Sequence, residues 1–426
     1  MPQFMPFYND HLLFGKSVIN SKLTDYKMNH KCYLSNMEPS KNNADKRILS
    51  IDILRGIIMI IMALDHVRDF YGHASFDPLD LSQTSPLLFL TRWITHFCAP
   101  GFIFLSGVSA FLSSKRKTKN EAALFLFKRG LWLLLLEFTL IGFGWLLDIG
   151  FHTLFAQVIW AIGCSMIFLS ALIYFNLKPL YIGIVGLTLI FVHNAFDQVR
   201  SDSFGDAKLL WLVVHEQGFY QLNSYESIFI LYPLVPWIGV IAAGYYFGTL
   251  FLLEPAARRT LFFKIGAGAI LLFIIFRAIN VYGDPFPWQV QNSWWKNILA
   301  FIKCHKYPPS LCYLLMTIGV SIIALGFLEH AKGKLSRVFL IYGRVPFFYY
   351  ILHIYLIHLS QVAIALSMGF TANDLENAFQ GSPGKWGFEL PYVYLIWITI
   401  VALLYFPCRW FMKIKERRRD WWLSYL

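Results

Sequence analysis

Apolar residues run along this chain in blocks of about twenty, separated by short polar stretches. The blocks lie near 51–72, 87–112, 130–149, 153–175, 180–197, 226–252, 261–282, 310–330, 338–362 and 391–412. A helix needs about 20 such residues to cross a hydrocarbon core, so each block is long enough to span. Backbone groups facing lipid cannot stay unpaired, and the alternation of a barrel strand is missing from the blocks. The pattern therefore predicts an all-α polytopic membrane protein of about ten transmembrane helices. Prolines in the stretches 232–236 and 307–309 mark helix starts or kinks. Residues 1–47 are mixed and polar and read as a disordered tail without a signal peptide, and 413–426 read as a basic, aromatic tail. Met37 opens a stretch that looks like a natural start.

Composition agrees with lipid as the solvent. Of 426 residues 57% are hydrophobic and only 15% charged, well below the roughly one quarter typical of soluble domains. Fourteen Trp and 22 Tyr suit two membrane–water interfaces. The formal charge of +12 does not point to nucleic acid, because the basic residues sit in short patches between apolar blocks. With the N-terminus inside, the inner loops hold clusters such as Lys115, Arg116, Lys117, Lys119, Lys128 and Arg129, and the tail holds Arg409 to Arg419. The outer loops hold only Arg200, Lys208, Lys296, Lys303, Lys306 and Lys385. This bias predicts an even number of spans with both termini cytoplasmic. No inverted repeat of the kind found in secondary transporters is visible. Six scattered cysteines without a CxxC give no disulfide framework, and no metal is expected.

The first block carries the most chemistry. Asp52, Arg55, Met59, Met62, His66, Asp69 and His73 recur at steps of three and four and share one helical face. Ionisable groups at membrane depth are costly and face a protein interior or a wet cavity. Histidine, with an ordinary pKa near 6.5, suits proton transfer, and Asp69 one turn away is placed to fix an imidazole tautomer. Asp65, on a neighbouring stripe, is placed to orient an imidazole elsewhere in the bundle. Arg92 and His96, on an adjacent antiparallel span, are expected to join this cluster as substrate contacts, with His353 a further candidate. Glu137, Asp148, His152, His193, Asp197, Arg277 and His358 read as pairing groups or anchors, and Tyr349, Tyr350 and Tyr355 as packing.

The phrases SIDILRG, LDHVRDFYGHAS, ITHFCAPGFIFLSGVSAFL, LVPWIGV, KYPPSLCYLLMT and YGRVPFFYYILHIYLIH carry a resemblance. Together they resemble a bacterial membrane family related to the catalytic domain of heparan-alpha-glucosaminide N-acetyltransferase, over most of residues 47–412. The resemblance implies a single transmembrane acyltransferase domain over 48–412 in the bacterial inner membrane. It also implies acyl transfer from cytoplasmic acetyl-CoA, or another acyl-CoA, to a glycan or amino-sugar acceptor on the far side. His73-Ala74-Ser75 matches the His-Ala-Ser phrase of the lysosomal enzyme's catalytic histidine, with about four residues fewer before it here, and His66 falls where an asparagine assists. The base is thus left open between His66 and His73, with Asp65-His66 the bacterial family's own Asp-His pair.

Acyl transfer from a thioester needs such a base and donors for an oxyanion. Arg55, Arg129 and Arg344, at inner helix ends, are candidate contacts for the coenzyme A phosphates. The alternative is a proton-coupled permease using the charged first-helix stripe. An assembly of several copies is left open.

Overall fold

The computed structural model describes residues 48–73, 76–371, 374–375, 386–418, 420 and 423. The expected tail 1–47, the Ala74-Ser75 phrase and Lys385 lie outside them. Every predicted block contains helix. In chain order these are α1 (Leu49–Tyr71), α2 (Pro86–Ile94) running through a 3-10 turn into α3 (Cys98–Ser114), and α4 (Lys119–Leu136). A π-helical turn at Glu137–Ile141 joins α4 to α5 (Gly142–Leu146). Next come α6 (Val158–Tyr174), α7 (Pro179–Val192), α8 (Lys208–Val214), α9 (Leu234–Phe247) and α10 (Pro255–Ile279). The last are α11 (Trp294–Ile302), α12 (Leu311–Leu328), α13 (Lys334–Arg344), α14 (Pro346–Ser367) and α15 (Leu390–Arg417).

Seven helical segments among the described residues are long and apolar enough to cross a membrane. Three predicted spans fall outside that set for separate reasons. Five charged residues interrupt α1, Lys119, Glu121, Lys128 and Arg129 interrupt α4, and α6 has only 17 residues. The chain is an integral, all-α polytopic membrane protein.

Burial sorts the helices into layers. In the α2–α3 rod and in α12, 67% of the apolar window is buried, against 22% in α10 and 17% in α15. The exposed side of α15 carries Leu395, Ile398, Leu403, Phe406 and Trp410, an apolar face suited to lipid. α1 is central, packed by α3, α12, α13, α14 and α15. This position explains how a helix with five charged residues can exist at membrane depth, since protein surrounds its polar stripe. Two glycines permit the closest crossing. A Cβ at Gly56 would collide with the Phe339 carbonyl oxygen on α13, and one at Gly343 with that of Asp52 on α1.

Two details depart from the hydrophobic pattern. Blocks 153–175 and 226–252 both open on strands, β1 (Thr153–Ala156) and β3 (Ser227–Ile230), with β2 (Gly218–Gln221) between them in sequence. The order is β1-β3-β2, with β1 parallel and β2 antiparallel to β3. Phe155, Phe229 and Phe219 stack across the three strands. Short apolar strands have no hydropathy signal that separates them from the helices they precede. The block at 338–362 is broken at Val345, where Pro346 starts α14. At the other end, α15 continues to Arg417, into the segment expected to be a tail.

Candidate active site

Along α1 runs a cavity of about 840 Å³. Arg55, Met59, Met62, His66, Asp69 and His73 line it, which is the predicted stripe apart from Asp52. At 1.5 Å per residue, Arg55 and Tyr71, the last residue of α1, are roughly 24 Å apart along the helix axis, and His73, expected on the helical face, instead follows beyond the helix end after the extended Gly72. His66 sits between Arg55 and the end of α1, roughly 16 Å from Arg55 along the axis.

The tautomer of His66 follows from a chain of contacts. His353 Nδ1 lies 3.0 Å from the Tyr349 carbonyl oxygen, which can only accept, so this nitrogen carries the proton. In a neutral His353 ring, Nε2 is then an acceptor. It lies 2.7 Å from His66 Nδ1, which must donate. A neutral His66 therefore keeps its lone pair on Nε2, on a side chain that lines the cavity. The ring is held by stacking on His353 at 4.9 Å and by the edge of Trp145 at 4.8 Å. Trp145 in turn donates to the Tyr350 hydroxyl at 3.3 Å. Tyr349 and Tyr350 thus support the histidine pair as well as packing the core.

Neither nearby carboxylate orients an imidazole in this way. Asp65 accepts from Arg92 Nη1 at 2.7 and 2.8 Å and from the Thr95 hydroxyl at 2.7 Å. Arg68 Nη2 lies 2.8 Å from its Oδ1, and Lys306 Nζ 3.9 Å from its Oδ2. Asp69 pairs with Arg68 at 2.5 Å. The physical reason is charge: the buried Arg68 and Lys306 and the partly buried Arg92 compete for the two carboxylates, and an imidazole cannot match them. The balance of three cations to two anions leaves a positive surplus beside His66, suited to a developing oxyanion.

At the end nearest the start of α1 the cavity is lined by Arg55, Arg129, Arg344 and Lys415. Arg55 donates to Ser109 Oγ at 2.8 Å and pairs with Asp52 at 3.2 Å, while Arg344 pairs with Glu416. At the opposite end His73 is half exposed, its Nε2 4.0 Å from Glu389. The adjoining backbone is pinned where Phe388 N donates to the Tyr71 carbonyl and Trp386 Nε1 to that of Phe70. Arg92 joins the α1 cluster, but His96 does not. His96 packs on Tyr313 at 5.3 Å and faces a second cavity of about 600 Å³ that shares Arg92, Lys306 and Tyr307 with the first. Among the described residues neither His96 ring nitrogen has a hydrogen-bond partner.

The profile of the heparan-alpha-glucosaminide N-acetyltransferase catalytic family matches residues 47–282, more than half of the chain. The chain belongs to this family. No curated protein matches it. Membership implies acetyl-group transfer in a membrane, and the matched region holds the whole stripe of α1 together with Arg92, His96 and Arg129.

Several lining residues escaped the sequence reading. Lys306 looked like one more outer-loop cation, though it stands in the quoted phrase KYPPSLCYLLMT beside two prolines. It is buried, 8% exposed, over the Tyr307 ring. Arg68 and Thr95 were passed over because neither lies on the stripe. A helical projection of α1 could have found Arg68, which stands three residues from Asp65 and next to Asp69.

Proposed function

We propose that this protein transfers an acetyl group from cytoplasmic acetyl-CoA, or another acyl-CoA, to the amine or hydroxyl of an amino sugar in an extracytoplasmic glycan, with His66 as base. The observation that carries this reading is the single cavity with basic residues at its inner end, His66 midway and His73 at its outer mouth. The anionic head of the donor binds at Arg55, Arg129 and Arg344, as a substrate exposed to the cytoplasm. Its extended pantetheine arm carries the thioester toward His66. The acceptor enters from the side of His73 and Glu389, in the bacterial inner membrane.

His66 Nε2 takes the proton from the attacking amine or hydroxyl as the new C–N or C–O bond forms. Arg92 and Lys306 stabilise the oxyanion that appears on the thioester carbonyl. When the C–S bond breaks, the thiolate leaves and takes that proton back from His66. His353 holds Nδ1 of His66 throughout, so the proton is received at Nε2. His73 and Glu389 position the acceptor at the mouth.

Proteoliposomes test the vectorial part. Labelled acetyl-CoA supplied on one face and amino sugar on the other give acetylated sugar on the sugar's face, with coenzyme A released on the donor's face. A proton-coupled permease would use the same charged passage. Proton-driven sugar uptake without acetyl-CoA consumption would establish that alternative and overturn the enzyme reading.

A further inference from the structure

Away from the α1 cavity, two histidines and an aspartate converge where α7 ends. His193 opens the 3-10 turn His193–Phe196, Asp197 caps it, and His215 caps α8. Their ligand atoms all lie within 4.8 Å of one another. His193 is 2% exposed, and neither of its ring nitrogens has a hydrogen-bond partner among the described residues. His215 is 4% exposed, and its Nε2 faces Asp197 Oδ1 at 3.5 Å, beyond a well-formed hydrogen bond.

Buried polar groups are normally satisfied, so three that converge without satisfying one another call for a common partner. The surroundings fit a metal. Asn194 donates to Asp197 Oδ2 at 2.7 Å, which fixes the carboxylate and leaves Oδ1 toward the histidines. Phe196 and Trp211 form an aromatic shell against His215. The neighbouring carboxylate of Glu216 is committed to Arg200 at 2.8 Å and to the Ser201 backbone N–H, so it does not compete.

We propose that His193, Asp197 and His215 bind a divalent transition-metal ion of zinc-like preference. Two imidazoles and one carboxylate suit zinc, whereas calcium and magnesium prefer sites built from oxygen alone. Metal–donor distances near 2.0–2.1 Å require tetrahedral ligand atoms to be about 3.4 Å apart, which the His215–Asp197 pair at 3.5 Å already meets, so only the wider separations to His193 need to close on binding. A water completes the fourth position. The ion ties the end of α7 to the segment around α8. Through Asn194 Oδ1, which accepts from the Leu311 backbone N–H at 2.8 Å, it also braces the start of α12. Five residues earlier lies Lys306, so the ion acts as a clamp on the outer wall of the cavity and takes no part in acyl transfer. This site stands independently of the proposed reaction.

The test uses full-length protein carrying a histidine-free affinity tag, purified in detergent. Elemental analysis should find about one zinc per chain. After chelation, titration with Co²⁺ should produce visible d–d bands that saturate at about one equivalent. His193→Gln and His215→Gln should lose both signals while keeping a monodisperse elution profile, and Asn194→Ala should weaken Co²⁺ binding about tenfold. His66→Ala should bind metal like the unaltered protein. Added Zn²⁺ should raise the melting temperature of the unaltered protein and leave that of His193→Gln unchanged. Absence of zinc together with no Co²⁺ bands in the unaltered protein would overturn the proposal. So would one equivalent of metal retained by His193→Gln.

Discussion

His66 lies on α1 and His73 just beyond its last residue, Tyr71, and both line the same cavity, yet their surroundings differ in kind. His66 is buried, its ring held by His353 and Trp145 and its tautomer set by a chain ending on the Tyr349 carbonyl. His73 is half exposed, with a distant carboxylate partner and, among the described residues, no comparable ring contact. Position along a helix therefore nominates candidates, but the partners on α14 and α5 decide which histidine is fixed with a lone pair toward the cavity. A base needs that fixed geometry, whereas an outer-mouth residue can act by contact alone.

The sharpest attempt to break this contrast is His66→Ala. Turnover is expected to fall about 10²- to 10⁴-fold while donor binding persists, as read by initial rates and by titration with coenzyme A. Arg92→Met comes next. It strips Asp65 of its two-contact partner, and although Arg68 and Lys306 remain, a loss of about 3 kcal/mol is expected in a detergent-stability melt. Arg92→Lys should restore only part of it, because an ammonium lacks the planar fork of a guanidinium. His353→Ala frees Nδ1 of His66 and lets the ring take the wrong tautomer, so kcat should drop about tenfold or more with little change in KM. The smallest effect belongs to the inner end. Gln in place of Arg55 or Arg129 should raise KM for the donor roughly three- to tenfold, and the difference should shrink at high salt.

How much of this could be read beforehand depended on range along the chain. The α1 stripe was visible because helical spacing alone brings its residues together. The partner of His66 was not, since His353 lies far away in sequence and only the α1–α14 packing makes them neighbours. Asp65 was expected to orient an imidazole, and Asp69 to fix one, because two of the three cations around them, Arg92 and Lys306, come from other elements. The early start of α4 did carry a local signal. Thr118 and Glu121 form a capping box before a stretch whose charges had kept it out of the predicted spans. His193 and Asp197 were read as anchors because His215 comes from beyond the next turn of the fold.

The central claim is that His66, not His73, receives the acceptor's proton. It is tested most directly by single-turnover transfer of labelled acetyl from acetyl-CoA to an amino-sugar mixture, comparing the unaltered protein with His66→Ala and His73→Ala. The account predicts that His66→Ala slows transfer about 10²- to 10⁴-fold with coenzyme A binding intact, and that His73→Ala slows it only about two- to fivefold. Full transfer by His66→Ala with none by His73→Ala would contradict it and move the base to the outer mouth of the cavity.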